Sequence, residues 1–163
     1  EDAAGVMLVP AFTGWGTPHW DPSARGLIIG LTRDSRRGHI AKAALEGIAL
    51  SVATLVQLAE QSIEHGLGEL AVDGGAAASN SLLQAQANST GLKVRRPINL
   101  ESTAKGVALL AGLQSGIITD LKELVPSREE GAEVFTPKID IPTREKWRAR
   151  WDDAVKRSLQ WHE

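Results

Sequence analysis

Apolar residues recur along this chain with two spacings, one typical of strands and one typical of helices. The strand candidates are short apolar runs that end at glycine, proline or charged residues, at 6–10, 26–31, 69–73 and 92–96. Apolar positions three to four residues apart predict helices at about 79–90 and 103–115, which end at Gly91 and Gly116. The alternating order from 69 onward predicts an α/β fold in which two parallel strands are joined by a right-handed crossover.

The longest predicted helix starts after Asp34 or Ser35, since either side chain is a good N-cap. Gly66 and Gly68 are expected to end it. Its apolar positions at three-to-four spacing are Ile40, Ala44, Ile48, Val52, Leu55, Ala59 and Ile63. We therefore expect this stripe to be the buried face of the helix.

Two further helices complete the prediction, a short one from Thr119 or Asp120 through Leu124 and a last one from about Thr143. The segment between them is polar and is expected to be irregular up to Pro142. In the last helix the large apolar residues recur every four positions, at Trp147, Trp151, Val155 and Leu159. This stripe predicts core packing, with the charged flanks of the helix in solvent.

Small residues fill the helix predicted at 103–115. They are Ala104, Gly106, Ala108, Ala111 and Gly112. Because small side chains let a helix approach its neighbour closely, we expect this helix to pack directly onto the sheet.

The length of 163 residues fits one domain with its own core. We divide it into a strand and Gly/Pro/Trp loop region at 1–37, a helix and βαβα core at 38–118, and C-terminal helices at 119–163. The 18 basic and 20 acidic residues are mixed along the chain, which argues against a nucleic-acid partner. The absence of cysteine excludes disulfides and thiol chemistry. Without an 18-residue apolar run or a signal-peptide pattern, we expect no membrane partner and a cytoplasmic location.

The most informative segment follows the predicted strand at 69–73, where Asp73 leads into Gly74 and Gly75. Glycine has no Cβ, so a ligand can approach its main chain closely. Ser79 or Asn80 then offers an N-cap for the next helix, whose first N–H groups favour an anion. These residues are consistent with a nucleotide contact and equally with a tight turn that binds nothing.

Other chemistries have little support in the sequence. A P-loop motif is absent, and the four histidines, at 19, 39, 65 and 162, lack the spacing of metal ligands. Asp73, Asp21 and Glu46 are the carboxylates considered as a general base, and none has a convincing context. We therefore assign no catalytic residue and no metal ligand in this chain.

Four motifs resemble one enzyme family. The pattern G-x-I-x-G-L at 26–31, followed after seven residues by H-I-x-x-A-A-L-E at 39–46, resembles a signature of the FGGY carbohydrate kinases. The loop VPAFTGWGTPHWDP at 9–22 is most similar to that of the glycerol kinases within this family. DGGA at 73–76 and ESTAKG at 101–106 are similar to its later motifs.

This resemblance implies the C-terminal domain of a ribonuclease-H-like, actin-like ATPase fold, incomplete at its N-terminal strands. It implies transfer of the γ-phosphoryl group of ATP, bound as MgATP, to a polyol or sugar hydroxyl. The nucleotide-binding residues implied are Gly74, Gly75, Ala76, Ser79 and Asn80. Gly75 is expected to contact the adenosine side through its backbone. The family often has Asn four residues beyond that glycine, where this chain has Ser79, and Asn80 is the alternative contact.

The resemblance also places the catalytic Asp and the polyol-binding residues before the start of this chain, which lacks an initial Met and reads as a piece of a longer protein. We expect the chain alone to be inactive, because phosphoryl transfer needs both sides of the cleft. An unpaired sheet edge at 6–10 is expected either to self-associate into a homo-oligomer or to rearrange. The alternatives are a non-catalytic actin-like module that binds nucleotide or a partner, and an α/β domain without a ligand.

Overall fold

The computed structural model describes residues 2–120 and 131–161. Its strands form two sheets, and its helices pack around them. The strands are β1 (Met7–Val9), β2 (Leu27–Ile29), β3 (Glu69–Ala71), β4 (Lys93–Arg96) and β5 (Glu133–Phe135). The helices are α1 (Arg37–Glu60), α2 (Asn80–Thr90), α3 (Ser102–Gln114) and α4 (Ile141–Ser158), with a 3₁₀ turn at Gly75–Ala78.

The first sheet is the antiparallel pair of β1 and β2. The second sheet, formed by β3, β4 and β5, contains the parallel pair that the sequence predicts. β3 and β4 pair in parallel, with Leu70 opposite Val94. Between them α2 starts at the N-cap Ser79 and ends at Gly91, which has a φ of 80°. This left-handed conformation explains why glycine ends the helix.

The third strand of this sheet was not predicted. β5 pairs antiparallel with β4, so that Arg96 lies opposite Glu133. The prediction of an irregular segment up to Pro142 is therefore wrong at 133–135. The strand has only three residues, of which Phe135 alone is buried, so no clear alternation marks it. The short helix predicted from Thr119 through Leu124 extends beyond the described residues.

The buried face of α1 is not the predicted stripe. It consists of small residues and two larger ones: Ala43, Gly47, Ala49, Leu50, Ala53 and Val56. Ile48 and Leu55, which were expected inside, are 42% and 48% exposed. The small residues let α1 approach β1 and α2 closely, and this close packing decides which face is covered.

Both predicted ends of α1 also differ from the structure. Its N-cap is Arg36 rather than Asp34 or Ser35, and the Arg36 N–H donates to Nδ1 of His39 at 3.2 Å. The helix ends at Glu60, before Gly66 and Gly68. Its length and composition alone would allow α1 to cross a membrane. Core helices have the same properties, and α1 packs on β1 and α2.

Among the described residues, no residue of α3 is buried. The prediction that α3 packs closely on the sheet is therefore wrong.

The last helix agrees better with the sequence. Trp151 and Val155 are buried in a core with Met7, Val9 and Leu50, and Trp147 and Leu159 pack against it. The helix begins earlier than predicted, because Asp140 caps it by accepting from the Thr143 N–H at 2.9 Å.

Candidate functional site

The Gly74–Gly75 turn lies at the carboxyl end of β3. Gly74 has a φ of 79°, a positive value that residues with a Cβ rarely adopt. Its N–H donates to the Leu100 carbonyl oxygen at 2.8 Å. Because Leu100 follows β4, this bond joins the loops that leave both parallel strands. Ligands of open α/β sheets bind at this edge.

Two helix N-termini are placed next to the same edge. α2 begins at Asn80, shortly after the turn, and α3 begins at Ser102, two residues after Leu100. The Glu101 N–H that leads into α3 donates to Oδ1 of Asn99 at 2.9 Å. Helix N-termini carry partial positive charge and free N–H groups, so this edge favours an anionic ligand.

The backbone at Gly75 is open. A Cβ built on Gly75 would meet no atom of the described residues within 4 Å, and its φ lies outside the left-handed region. Gly75 is therefore not required by packing or by backbone strain. Close approach of a ligand to its main chain remains as a physical reason for a glycine here.

The structure decides between the two candidate N-caps of α2. Oγ of Ser79 accepts from the Leu82 N–H at 3.3 Å, so Ser79 is the cap. Asn80 is the first helical residue and is exposed, as is Ala76 in the 3₁₀ turn. The five predicted nucleotide residues thus lie in one continuous segment, from the turn to the first residue of α2, and their contact with nucleotide stays a prediction.

Arg96, at the end of β4, is a residue of this site that the sequence interpretation missed. Its Nη1 donates to the carbonyl oxygens of Ala77 and Ala78, at 2.9 and 3.2 Å. Its Nη2 pairs with Glu133, and its guanidinium lies 5.4 Å from the centre of the Phe135 ring. Two of these partners, Glu133 and Phe135, lie on the unpredicted β5, so no local sequence pattern marks this cluster.

The carboxylates considered as bases have structural roles or solvent exposure. Oδ1 of Asp21 accepts from Oγ of Ser23 at 2.6 Å, and its Oδ2 accepts from the Gln160 N–H at 2.6 Å. These hydrogen bonds hold the pKa of Asp21 below its ordinary value and tie the Gly/Pro/Trp loop to the end of α4. Asp73 is exposed at the turn.

Glu46 lies away from the turn, on α1. Burial raises the pKa of Glu46, while Lys42, with Nζ at 3.8 Å, opposes the shift. Glu46 lines a cavity of about 450 Å³ between the N-terminal segment, α1 and α4, which contains none of the predicted nucleotide residues. Among the described residues, no three His, Asp or Glu side chains form a group that could hold a metal.

Comparison with known proteins identifies the family. The pattern of the FGGY family of carbohydrate kinases, C-terminal domain, matches residues 1–115. The chain belongs to the FGGY family of carbohydrate kinases. The motif resemblance is therefore confirmed, and with it the prediction of the C-terminal domain.

Named glycerol kinases are among the relatives of this FGGY chain. It is 45% identical over 161 residues to glycerol kinase 2 of Pseudomonas aeruginosa, covering 99% of this chain and 32% of that protein. It is 49% identical over 161 residues to a glycerol kinase of Trichlorobacter lovleyi, covering 98% and 32%. The chain thus spans about a third of the length of the curated relatives it matches.

Solved structures of FGGY kinases share the fold. A Plasmodium falciparum glycerol kinase with ADP superposes with a TM-score of 0.79 at 34% identity, covering 97% of this chain and 31% of that chain. A Rhodospirillum rubrum xylulose kinase gives a TM-score of 0.68 at 25% identity, covering 94% and 29%. The predicted ribonuclease-H-like, actin-like fold is confirmed by these similarities.

Proposed function

We propose that this chain is the ATP-binding C-terminal part of a kinase that transfers the γ-phosphoryl group of ATP to a hydroxyl of a polyol or sugar, with glycerol as the favoured acceptor. One observation supports it above the others: in a member of the FGGY family, the main chain at Gly75 is open at the carboxyl edge of two parallel strands. The relatives named as glycerol kinases support glycerol as the acceptor.

In this proposal the chain supplies one wall of the nucleotide site. The backbone of Gly74, Gly75 and Ala76 faces the adenosine part of ATP or ADP, with Ser79 and Asn80 at its border. The N-termini of α2 and α3 add favourable electrostatic potential for the anionic nucleotide. Magnesium enters with the nucleotide as MgATP.

In this proposal, residues outside this chain bind the acceptor and supply the general base. They correspond to the remaining two-thirds of the length of its relatives. Since phosphoryl transfer depends on positioning and charge stabilisation from both sides, the role of this chain is to bind and orient the nucleotide. Homo-oligomer formation and the cytoplasmic location stay predictions.

Titration of ADP and ATP against the chain, with and without magnesium, tests the proposal by calorimetry. The variant is Gly75→Val, and its matched control is Gly68→Val, because a Cβ at either glycine meets no atom of the described residues within 4 Å. We expect Gly75→Val to raise the Kd at least about tenfold, a loss of about 1.4 kcal/mol. Gly68→Val should leave the Kd unchanged.

Two results would overturn the assignment of the turn. One is equal nucleotide affinity in Gly75→Val and the unsubstituted chain. The other is an equal loss of affinity in both glycine variants, which would indicate a general effect on folding. If the nucleotide binds as expected but a full-length kinase that contains this chain shows no turnover, the alternative of a non-catalytic binding module is supported instead.

A further inference from the structure

We propose that Arg96 is a positioning residue for the segment Gly74–Ser79, which we call the nucleotide turn. It holds the backbone of this turn in the shape that leaves Gly75 open. The inference rests on the proposed function of this turn. It adds a residue outside the turn that controls the affinity of the site without touching the nucleotide.

The contacts of Arg96 are directed at the end of the 3₁₀ turn. The 3₁₀ turn at Gly75–Ala78 is one short element, held by the Ala77 N–H to Gly74 at 3.0 Å and the Ser79 N–H to Ala76 at 3.1 Å. Carbonyl groups at the end of such an element lack partners within it. Nη1 of Arg96 supplies a charged donor to two of them, those of Ala77 and Ala78.

Arg96 is itself fixed from the opposite side. Glu133, directly opposite in the antiparallel pair of β4 and β5, accepts from Nη2. The guanidinium also lies over the ring of Phe135, which is buried in a cluster with Ala77, Leu83 and Val94. A planar guanidinium can serve carbonyls, a carboxylate and an aromatic face together, whereas an ammonium group cannot. The three contacts therefore set the distance between the turn and β5.

Arg95 provides a matched control on the same strand. Successive side chains of a strand point to opposite faces, and Nε of Arg95 binds Oε1 of Glu69 on β3 at 2.9 Å. The structure gives Arg95 no hydrogen bond to the described residues of the turn. Replacing Arg95 thus removes an arginine and an ion pair from β4 while leaving the bonds to Ala77 and Ala78 in place.

The experiment compares Arg96→Met, Arg96→Lys and Arg95→Met in the 163-residue chain by two measurements. Hydrogen exchange without nucleotide reports on the amides of Ala77 and Ser79, and calorimetric titration with ADP gives the Kd separately from the number of sites. We expect Arg96→Met to speed exchange at these two amides at least about tenfold and to raise the Kd about tenfold, since hydrogen bonds from a charged donor are stronger than those between neutral groups. Arg96→Lys should recover part of both effects, and Arg95→Met neither.

Each other outcome overturns the proposal. Unchanged exchange at Ala77 and Ser79 in Arg96→Met means that Arg96 does not hold the turn. Faster exchange throughout α2, with fewer sites but an unchanged Kd, indicates a general role in stability. The Gly75→Val variant separates this failure from that of the proposed function: if Gly75→Val weakens ADP binding and Arg96→Met does not, only the role of Arg96 is wrong. If ADP binds equally to all variants, the assignment of this turn to the nucleotide site is wrong.

Discussion

Gly47 in α1 packs directly against the backbone of Leu8 in β1. A Cβ built on Gly47 would lie 2.0 Å from the Leu8 carbonyl oxygen, closer than any real side chain allows. Because the neighbour is backbone, it cannot move aside without displacing β1. This glycine therefore sets how closely α1 packs against the first sheet.

We expect Gly47→Ala to destabilise the fold strongly. The added methyl group forces α1 and β1 apart, and overpacking of this kind costs about 1–3 kcal/mol or more. The free energy of unfolding from urea titration measures the effect. Gly38→Ala, also in α1 but with no described atom within 4 Å of its added Cβ, is the control and should be neutral or slightly stabilising. Equal stability of the two variants would contradict the prediction.

Parts of the fold that depend on local signals could be predicted from the sequence, and parts that depend on packing between elements could not. Gly91 and the alternating apolar runs predicted α2 and the parallel pair correctly, because these signals are local. The buried face of α1 depends on what packs against it. The small residues Gly47 and Ala43 are buried there, whereas the larger Ile48 and Leu55 are exposed. Arg96 could not be found for a related reason, since its ion-pair partner on β5, Glu133, is 37 residues away along the chain.

The exposed side of α1 predicts self-association. Ile48 and Leu55 leave large apolar side chains in solvent on one helix, and β1 is paired by a strand only on the side of β2 within the described residues. We expect light scattering after size exclusion to show dimers or larger species that increase with concentration. The double variant Ile48→Glu and Leu55→Glu should shift the chain to monomer. A clean monomer of the unsubstituted chain at high concentration would argue against this.

Glu46 predicts a pH dependence of stability. Burial raises its pKa in the folded state, so the folded chain binds this proton more tightly than the unfolded chain. The contribution of Glu46 to the free energy of unfolding must then fall as the pH rises from the ordinary glutamate pKa through the raised one, and stay constant above it. Urea unfolding between about pH 4 and 8 should show this slope flattened in Glu46→Gln. The exposed Glu64→Gln is the control, and a slope unchanged in Glu46→Gln would count against the burial effect.

Ser79 is expected to act on stability through its cap. Ser79→Ala removes the acceptor of the Leu82 N–H, and loss of an N-cap costs about 1 kcal/mol. Ser79→Asn keeps a capping side chain and introduces the residue that the FGGY resemblance favours at this position. We therefore expect thermal unfolding to show a lower Tm for Ser79→Ala and a nearly unchanged Tm for Ser79→Asn. Identical unfolding of the Ala variant and the unsubstituted chain would mean that the cap contributes nothing.

A kinase assay tests whether different parts of the kinase bind the nucleotide and the acceptor. If the proposed function is right, the 163-residue chain alone should not phosphorylate glycerol with MgATP, because in that proposal it supplies only the nucleotide side. A chimera provides the other side: the first two-thirds of Pseudomonas aeruginosa glycerol kinase 2 joined to this chain, which aligns with 32% of that protein at 45% identity. We expect the chimera to turn over glycerol, and Gly75→Val in it to raise KM for ATP about tenfold or more while changing KM for glycerol little. Turnover by the isolated chain would show that one wall is sufficient, and an equal rise in both KM values would place Gly75 outside the nucleotide site.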